Sequence, residues 1–366
     1  MKKLFSLFLI LVSIEGCKKD NSPINGWNVL SSGETISDLN SVFFTDENTG
    51  YATGFNEIPT PYAATGFILK TTNGGDTWSS IKTDSESINW LENVFFSETN
   101  VGYITGYRPQ TGALLFKTTD GGTSWNQIAL DSSRLLRLSS ACFIDRNTGY
   151  LTGYKNKDAP FEWYGTILRT TDGGNTWSVI NVNDPRDAIL NSICFPESNT
   201  GYIAGPVYPG FGIYNGIFLK TVDGGATWSN KSTTVQCAFK SIFFTDKNTG
   251  FGVGETIIGT DESTLIKTSD GGDTWSTVTL PTNMPITLNS ICFSDANTGY
   301  AVGSQSYSAL MGSKFCAAIL KTTDGGLTWK LTLVKNANAL NSVYITRSGK
   351  VYAVGKNGTI LKENTN

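Results

Sequence analysis

Histidine does not occur anywhere in the 366 residues. That absence removes the commonest general base of catalytic triads and the commonest ligand of transition metals. Charge is sparse too, at 16% of residues against the roughly 25% usual in soluble domains. The net balance is −3, which gives no global attraction to nucleic acid. Only seven arginines are present, at 108, 134, 137, 146, 169, 186 and 347. Cysteine is limited to six. Cys142, Cys194 and Cys292 recur in ACF, ICF and ICF where other copies have Phe43 and Phe95, so they read as small apolar side chains. Neither a disulfide framework nor a metal site fits that exchange. Pairing of Cys237 with Cys316 stays open.

A long hydrophobic run occurs once, at the N-terminus. Lys2 and Lys3 precede LFSLFLILVSI, which is too short to span a bilayer and reads as the core of an export signal. Gly16-Cys17 follows in the manner of a lipobox, with Cys17 as the lipidated first residue of the mature chain. The next residues, Lys18-Lys19-Asp20, resemble the start of Bacteroidota lipoproteins. The expected organisation is a signal over 1–16, a lipidated tether over 17–25 and one domain over 26–366. The mature chain would carry 26 basic and 30 acidic side chains, a net of −4. An ordinary signal cut elsewhere is the alternative.

What is abundant is glycine, 39 residues, together with aromatic residues at 12%. They are arranged in a repeat of about 50 residues. Its first phrase is apolar: SVFF at 41, NVFF at 93, SACF at 140, SICF at 192, SIFF at 241, SICF at 290 and SVYI at 342. The others are GYATG-like, ILKTT-like and TWSVI-like. Short β-branched and aromatic phrases bounded by Gly, Asn and Asp predict strands. Four strands in seven copies predict an all-β fold, a single seven-bladed β-propeller of four-stranded blades. The last copy lacks its TWSVI phrase, and GWNVLSSG at 26–33 supplies it. The N-terminal strand should therefore close the ring and remove an open sheet edge.

The phrase before each tryptophan is Thr-x-Asp-Gly-Gly-x-Thr-Trp, an Asp-box. Its carboxylate positions are Asp120, Asp172, Asp223, Asp270 and Asp324, with Asn73 in the first copy. Side chains repeated in every blade and able to cap their own turn read as architecture. The Asp-boxes and the single propeller resemble the Ycf48/Hcf136-like photosystem II assembly factor family over about residues 25–366. That resemblance implies a non-catalytic scaffold that binds a client protein, and it carries over no site residue. Asp-boxes also occur in sialidases and two-propeller endoglucanases. This chain has no matching arginine motif and one propeller. A glycoside hydrolase with an unmarked carboxylate pair is the remaining catalytic reading.

Turns between first and second strands are uniform (TDENTG, IDRNTG, SDANTG) and share a face with the Asp-boxes. Loops between second and third strands vary and lie on the other face, where binding is expected. They and the blade connections supply Phe55, Trp90, Tyr107, Tyr154, Phe161, Trp163, Tyr164, Tyr208, Phe211 and Tyr214. Arg134, Arg137, Arg186 and Lys240 come to the same face as a candidate basic rim, with solvated loop charge as the plainer account. The expected partner is an envelope protein, with a glycan as the alternative. No cofactor, metal or nucleic acid is expected. The protein would be a monomer at the outer membrane, carried on the lipid of Cys17.

Overall fold

A computed structural model describes residues 25–32, 38–57, 64–81, 90–109, 111–130, 135–156, 163–180, 182, 188–207, 215–231, 238–255, 263–282, 285–309 and 312–364. Seven four-stranded antiparallel sheets form the seven blades of a propeller. Blade 1 consists of Asp38–Phe44, Gly50–Glu57, Ala64–Thr71 and Ser79–Ile81, and the chain then builds blades 2 to 6 in order. Blade 7 takes Leu340–Ile345, Val351–Gly355 and Ile360–Glu363 from the end of the chain and Trp27–Leu30 from its beginning. Trp27 pairs with Glu363 and Leu30 with Ile360, so the ring is closed by the N-terminal strand.

Burial explains the composition of each phrase. The GYATG strand lies against neighbouring blades on both sides and is buried over its first five residues, hence a continuous run of small and apolar side chains. The outer strands are mostly exposed and only two or three residues long in blades 1 to 5. They begin after the tryptophan, not at it, because that residue belongs to the Asp-box turn. The TWSVI phrase is thus a shorter strand than its apolar pattern predicts. In blade 6 the stretch expected as a variable loop instead extends a hairpin, with strands Gly299–Ala309 and Gly312–Thr322.

Every glycine that ends a GYATG-type phrase meets the backbone at the start of the first strand or, at Gly205, just before it. A Cβ on Gly106 would lie 2.2 Å from the Trp90 carbonyl oxygen, and one on Gly54 would lie 1.9 Å from that of Asp38. This close approach occurs where first strands shift register, between Leu39 and Ser41, Leu91 and Asn93, and Leu340 and Ser342 among others. The extra residue turns its side chain to the next blade. Asn40 Nδ2 donates to Leu91 O at 2.8 Å, Asn289 to Leu340 O at 2.7 Å, and Asn341 to Leu39 O at 2.9 Å.

Among the described residues no helix is long and apolar enough to cross a membrane.

Candidate functional site

The Asp-boxes act locally and between blades. In blade 2, Asp120 Oδ1 accepts from Thr118 Oγ1 and from the amides of Thr123 and Ser124, while Oδ2 accepts from Ser124 Oγ at 2.6 Å. The Ser124 bonds above all hold the Asp120 carboxyl down at about 2. Asp172, Asp223, Asp270 and Asp324 repeat this arrangement, and Asn73 keeps the two acceptor bonds its amide oxygen can make. The paired glycines, such as Gly121 and Gly122 at φ 65° and 69°, supply left-handed backbone.

The carbonyl of the first of these glycines is a latch for the preceding blade. Tyr51 Oη and Lys70 Nζ both donate to Gly121 O, at 2.5 and 2.8 Å. Tyr103 and Lys117 do the same to Gly173 O, and Tyr352 and Lys362 to Gly74 O across the ring closure. Blade 7 has no Asp-box, and there a carboxylate replaces the carbonyl. Glu363 accepts from Tyr300 at 2.7 Å and from Lys321 at 2.9 Å. All of these side chains are occupied in holding blades together.

The second-to-last residues of the SVFF-type phrases pack against their equivalents in neighbouring blades. Phe43 packs against Phe95 and Tyr344, with centroids 5.5 and 4.8 Å apart. Cys142, Cys194 and Cys292 take the equivalent places as free, half-buried thiols. Burial pushes Cys142 up to about 11 and Cys292 to about 12. Cys316 is also a free thiol, buried at Gln305, and Cys237 lies outside the described residues.

On the opposite side from the Asp-boxes, the ends of strands from blades 1 to 3 converge. Trp90 opens the first strand of blade 2, and Tyr107, its register partner, lies near the end of the second. Their rings stack at 5.0 Å with an interplanar angle of 6°. Phe55 of blade 1 abuts Trp90 at 6.0 Å, and the Arg137 guanidinium of blade 3 lies 5.3 Å from the Tyr107 ring. Phe55, Trp90, Tyr107 and Arg137 thus form one ladder across three blades. Arg137 donates to Glu92 at 2.7 Å, with side chains 37% and 14% exposed. Burial opposes the Arg137 charge, but Glu92, followed by Tyr107 and Tyr154, more than offsets it and the guanidinium pKa rises. Burial raises the Tyr107 phenol. Next to the ladder, Tyr154 and Trp163 meet at 6.0 Å, and Tyr164 follows Trp163 in the same strand.

Eight of the sequence-derived binding candidates are therefore described: Phe55, Trp90, Tyr107, Arg137, Tyr154, Trp163, Tyr164 and Lys240. They sit at strand ends rather than in loop tips. Arg134, Phe161, Arg186, Tyr208, Phe211, Tyr214 and the lipidation candidate Cys17 lie outside the described residues. Both described members of the basic rim are ion-paired, Arg137 with Glu92 and Lys240 with Glu255 at 2.6 Å. Glu92 escaped the sequence reading. Its signal was present: it stands where blades 1, 4, 6 and 7 have Asn40, Asn191, Asn289 and Asn341. Among the described residues no cluster of three or more Cys, Asp or Glu is arranged to hold a metal ion.

Comparison with known proteins follows the same lines. Residues 20–136 match the family model of the photosynthesis system II assembly factor YCF48. No curated protein matches the chain. A solved structure of YCF48 bound to D1 peptide superposes with a TM-score of 0.67 at 18% identity, covering 94% of this chain and 98% of that one. YCF48 from Cyanidioschyzon merolae gives 0.63 at 18% identity, over 92% and 98%. The GH74 enzyme of Niastella koreensis gives 0.52 at 14% identity, over 86% of this chain and 62% of that one. At these identities the likeness to the solved structures is one of fold.

Proposed function

We propose that this protein is a non-catalytic envelope lipoprotein that binds a protein segment on its variable face, at the ladder of Phe55, Trp90, Tyr107 and Arg137. The ladder carries this reading. Tryptophan, tyrosine and arginine are the residues that dominate protein contacts, and here rigid strand ends hold them in place before any partner arrives. The likeness to a YCF48 that binds D1 peptide supports a peptide-binding role on this fold. The lipid is assigned to Cys17, and the site of action to the outer membrane.

The same geometry weighs against the carbohydrate alternative. An indole and a guanidinium both lie over Tyr107, and two planar groups cannot share one ring face. Tyr107 is thus already engaged by Trp90 and Arg137, which a sugar ring would have to displace. Catalysis is disfavoured by the carboxylates. A glycosidic general acid needs a raised pKa, whereas every described carboxylate whose pKa moves is moved down, from Asp46 to Asp324. The GH74 likeness is of fold, and fold alone does not carry activity.

The test is crosslinking from native membranes with intact protein, with Trp90→Ala, and with the pair Trp163→Ala and Tyr164→Ala, read by mass spectrometry. A client recovered with intact protein and lost with Trp90→Ala supports the ladder. A client unaffected by Trp90→Ala but lost with the pair moves the site to blade 3. Turnover of a glycan by the intact protein would overturn the reading.

A further inference from the structure

Two side-chain ties recur at the seams between blades. One comes from the extra residue of the first strand, the other from the basic residue before the Asp-box. Asn40, Asn191, Asn289 and Asn341 supply the first tie by donating to a backbone carbonyl of the next blade. Glu92 meets Arg137 in its place, and Lys240 meets Asn289 Oδ1 at 2.8 Å. Lys70, Lys117, Lys220, Lys267 and Lys362 supply the second tie by donating to a glycine carbonyl, and Lys321 donates to Glu363. Six of the seven seams thus have both ties. Among the described residues the seam between blades 3 and 4 has neither. Ser139 is the extra residue there, beside the register shift from Leu138 to Ser140, and it is too short to cross. Its Oγ is buried with no hydrogen-bond partner. Arg169 holds the basic position, but it engages Tyr150 of its own blade and leaves its Nε buried and unpaired. Asn156, which shares a strand face with Tyr150, has a buried and unpaired Oδ1. Tyr150 still donates to Gly224 O and stacks on Phe195 at 5.0 Å, and Leu190 N reaches Gly153 O at 3.4 Å.

We infer that the ring parts at the seam between blades 3 and 4, and that this seam is a gate. A buried polar atom without a partner costs free energy while the seam is shut, and water satisfies it once the seam opens. Thr152 Oγ1 is also buried and unpaired, but Thr53 and Thr105 leave the same atom unpaired at two other seams, so Ser139, Asn156 and Arg169 set this one apart. In a ring of seven the seam lies opposite blade 7. Both flanks of blade 7 carry ion pairs, Lys321 with Glu363 and Lys356 with Asp38. Blades 1 to 3 and blades 4 to 6 are thereby two arms about a firmly held blade 7. Phe55, Trp90, Tyr107 and Arg137 all sit on the first arm. Parting therefore leaves the ladder whole and uncovers its flank at Tyr154 and Asn156. The gate needs no partner on the ladder in order to open.

Amide exchange of the full chain, read by NMR, tests the gate, because single backbone amides cross several seams. Leu190 crosses between blades 3 and 4, while Val94, Ile242, Ile291 and Val343 donate to serine hydroxyls across four other seams. Leu190 is fully buried, yet it should exchange about tenfold faster than those four. Writing the residues of the repeat back, as Ser139→Asn with Arg169→Lys, should slow Leu190 about tenfold and leave Ile291 unchanged, the effect of two recovered hydrogen bonds of modest net strength. Arg169→Lys alone, which adds no volume to the interior, should slow it about threefold. The converse pair, Asn40→Ser with Lys70→Arg, should speed exchange at Val94. Leu190 exchanging no faster than the other four, or indifferent to Arg169→Lys, overturns the gate. So does a Val94 amide that the converse pair leaves unchanged.

Discussion

Tyr300 donates its phenolic hydrogen bond to the Glu363 carboxylate at 2.7 Å, where Tyr51, Tyr103, Tyr150 and Tyr352 donate to an Asp-box glycine carbonyl and Tyr202 to the Lys247 carbonyl. The glycine carbonyl is absent there because the N-terminal strand supplies the outer edge of blade 7 without an Asp-box before it. Glu363, in the third strand of that blade, fills the acceptor position for both Tyr300 and Lys321.

Glu363→Ala should therefore strip two donors at the seam between blades 6 and 7. The expected loss is about 2 kcal/mol, with a smaller loss for Glu363→Gln, which keeps an acceptor. Urea unfolding followed by tryptophan fluorescence measures it. Equal stability of all three chains would show that water replaces the carboxylate without cost.

Gly106→Ala should disturb the fold and the ladder together. The new methyl group would sit 2.2 Å from the Trp90 carbonyl, so the first strand of blade 2 must move. A loss of about 2–3 kcal/mol is expected, together with greater access of acrylamide to tryptophan as Trp90 leaves Tyr107. Unchanged quenching would mean that the stack does not depend on this close approach.

Glu92→Ala should leave Arg137 without its carboxylate while the guanidinium remains partly buried. The expected cost is about 1–2 kcal/mol in stability, since the pair is only partly shielded from solvent. Client binding measured by calorimetry should respond more to Arg137→Ala than to Glu92→Ala. The opposite order would make Glu92 the contact residue.

Acid should unfold the protein through its Asp-boxes. Carboxyls held at about 2 in Asp120, Asp223, Asp270 and Asp324 titrate near 3.9 in an unfolded chain. Their stabilisation is complete above that value and is lost as pH falls toward about 2. The melting temperature should be flat from neutral pH to about 5 and fall steeply below 4. Replacing the four by Asn, as at Asn73, should flatten that acid limb; an unaltered limb would place acid sensitivity elsewhere.

Thiol reagents should find the first-strand cysteines unreactive. With Cys142 near 11, only about one thiol in a thousand is ionised at pH 8. Native protein should react far more slowly than protein in urea. Rapid labelling of Cys142, Cys194 or Cys292 in native protein would mean that the seams between blades open.

The blades were legible because each repeat writes its own strands and turns within about 50 residues. The closing strand was legible from one missing phrase and one spare tryptophan. Contacts between blades were harder to read. Arg137 meets Glu92 across 45 positions and Tyr107 across 30, and no local pattern announces either pairing. Glu363 was hidden for a related reason: it substitutes for a backbone atom, which leaves no side-chain motif to compare. The stacking of Trp90 on Tyr107 depends on their cross-strand register, which only the folded blade displays.

Closing the ring with Trp27–Leu30 also makes the fold a check on the integrity of its own chain. Among the described strands, the first to be synthesised pairs with Ile360–Glu363, the last of them to appear. A chain cut short at any blade leaves that first strand without its mate and exposes raw sheet edges at both ends. Fragments are thereby marked for proteolysis or aggregation, and a chain reaches its protected form only when Ile360–Glu363 has arrived.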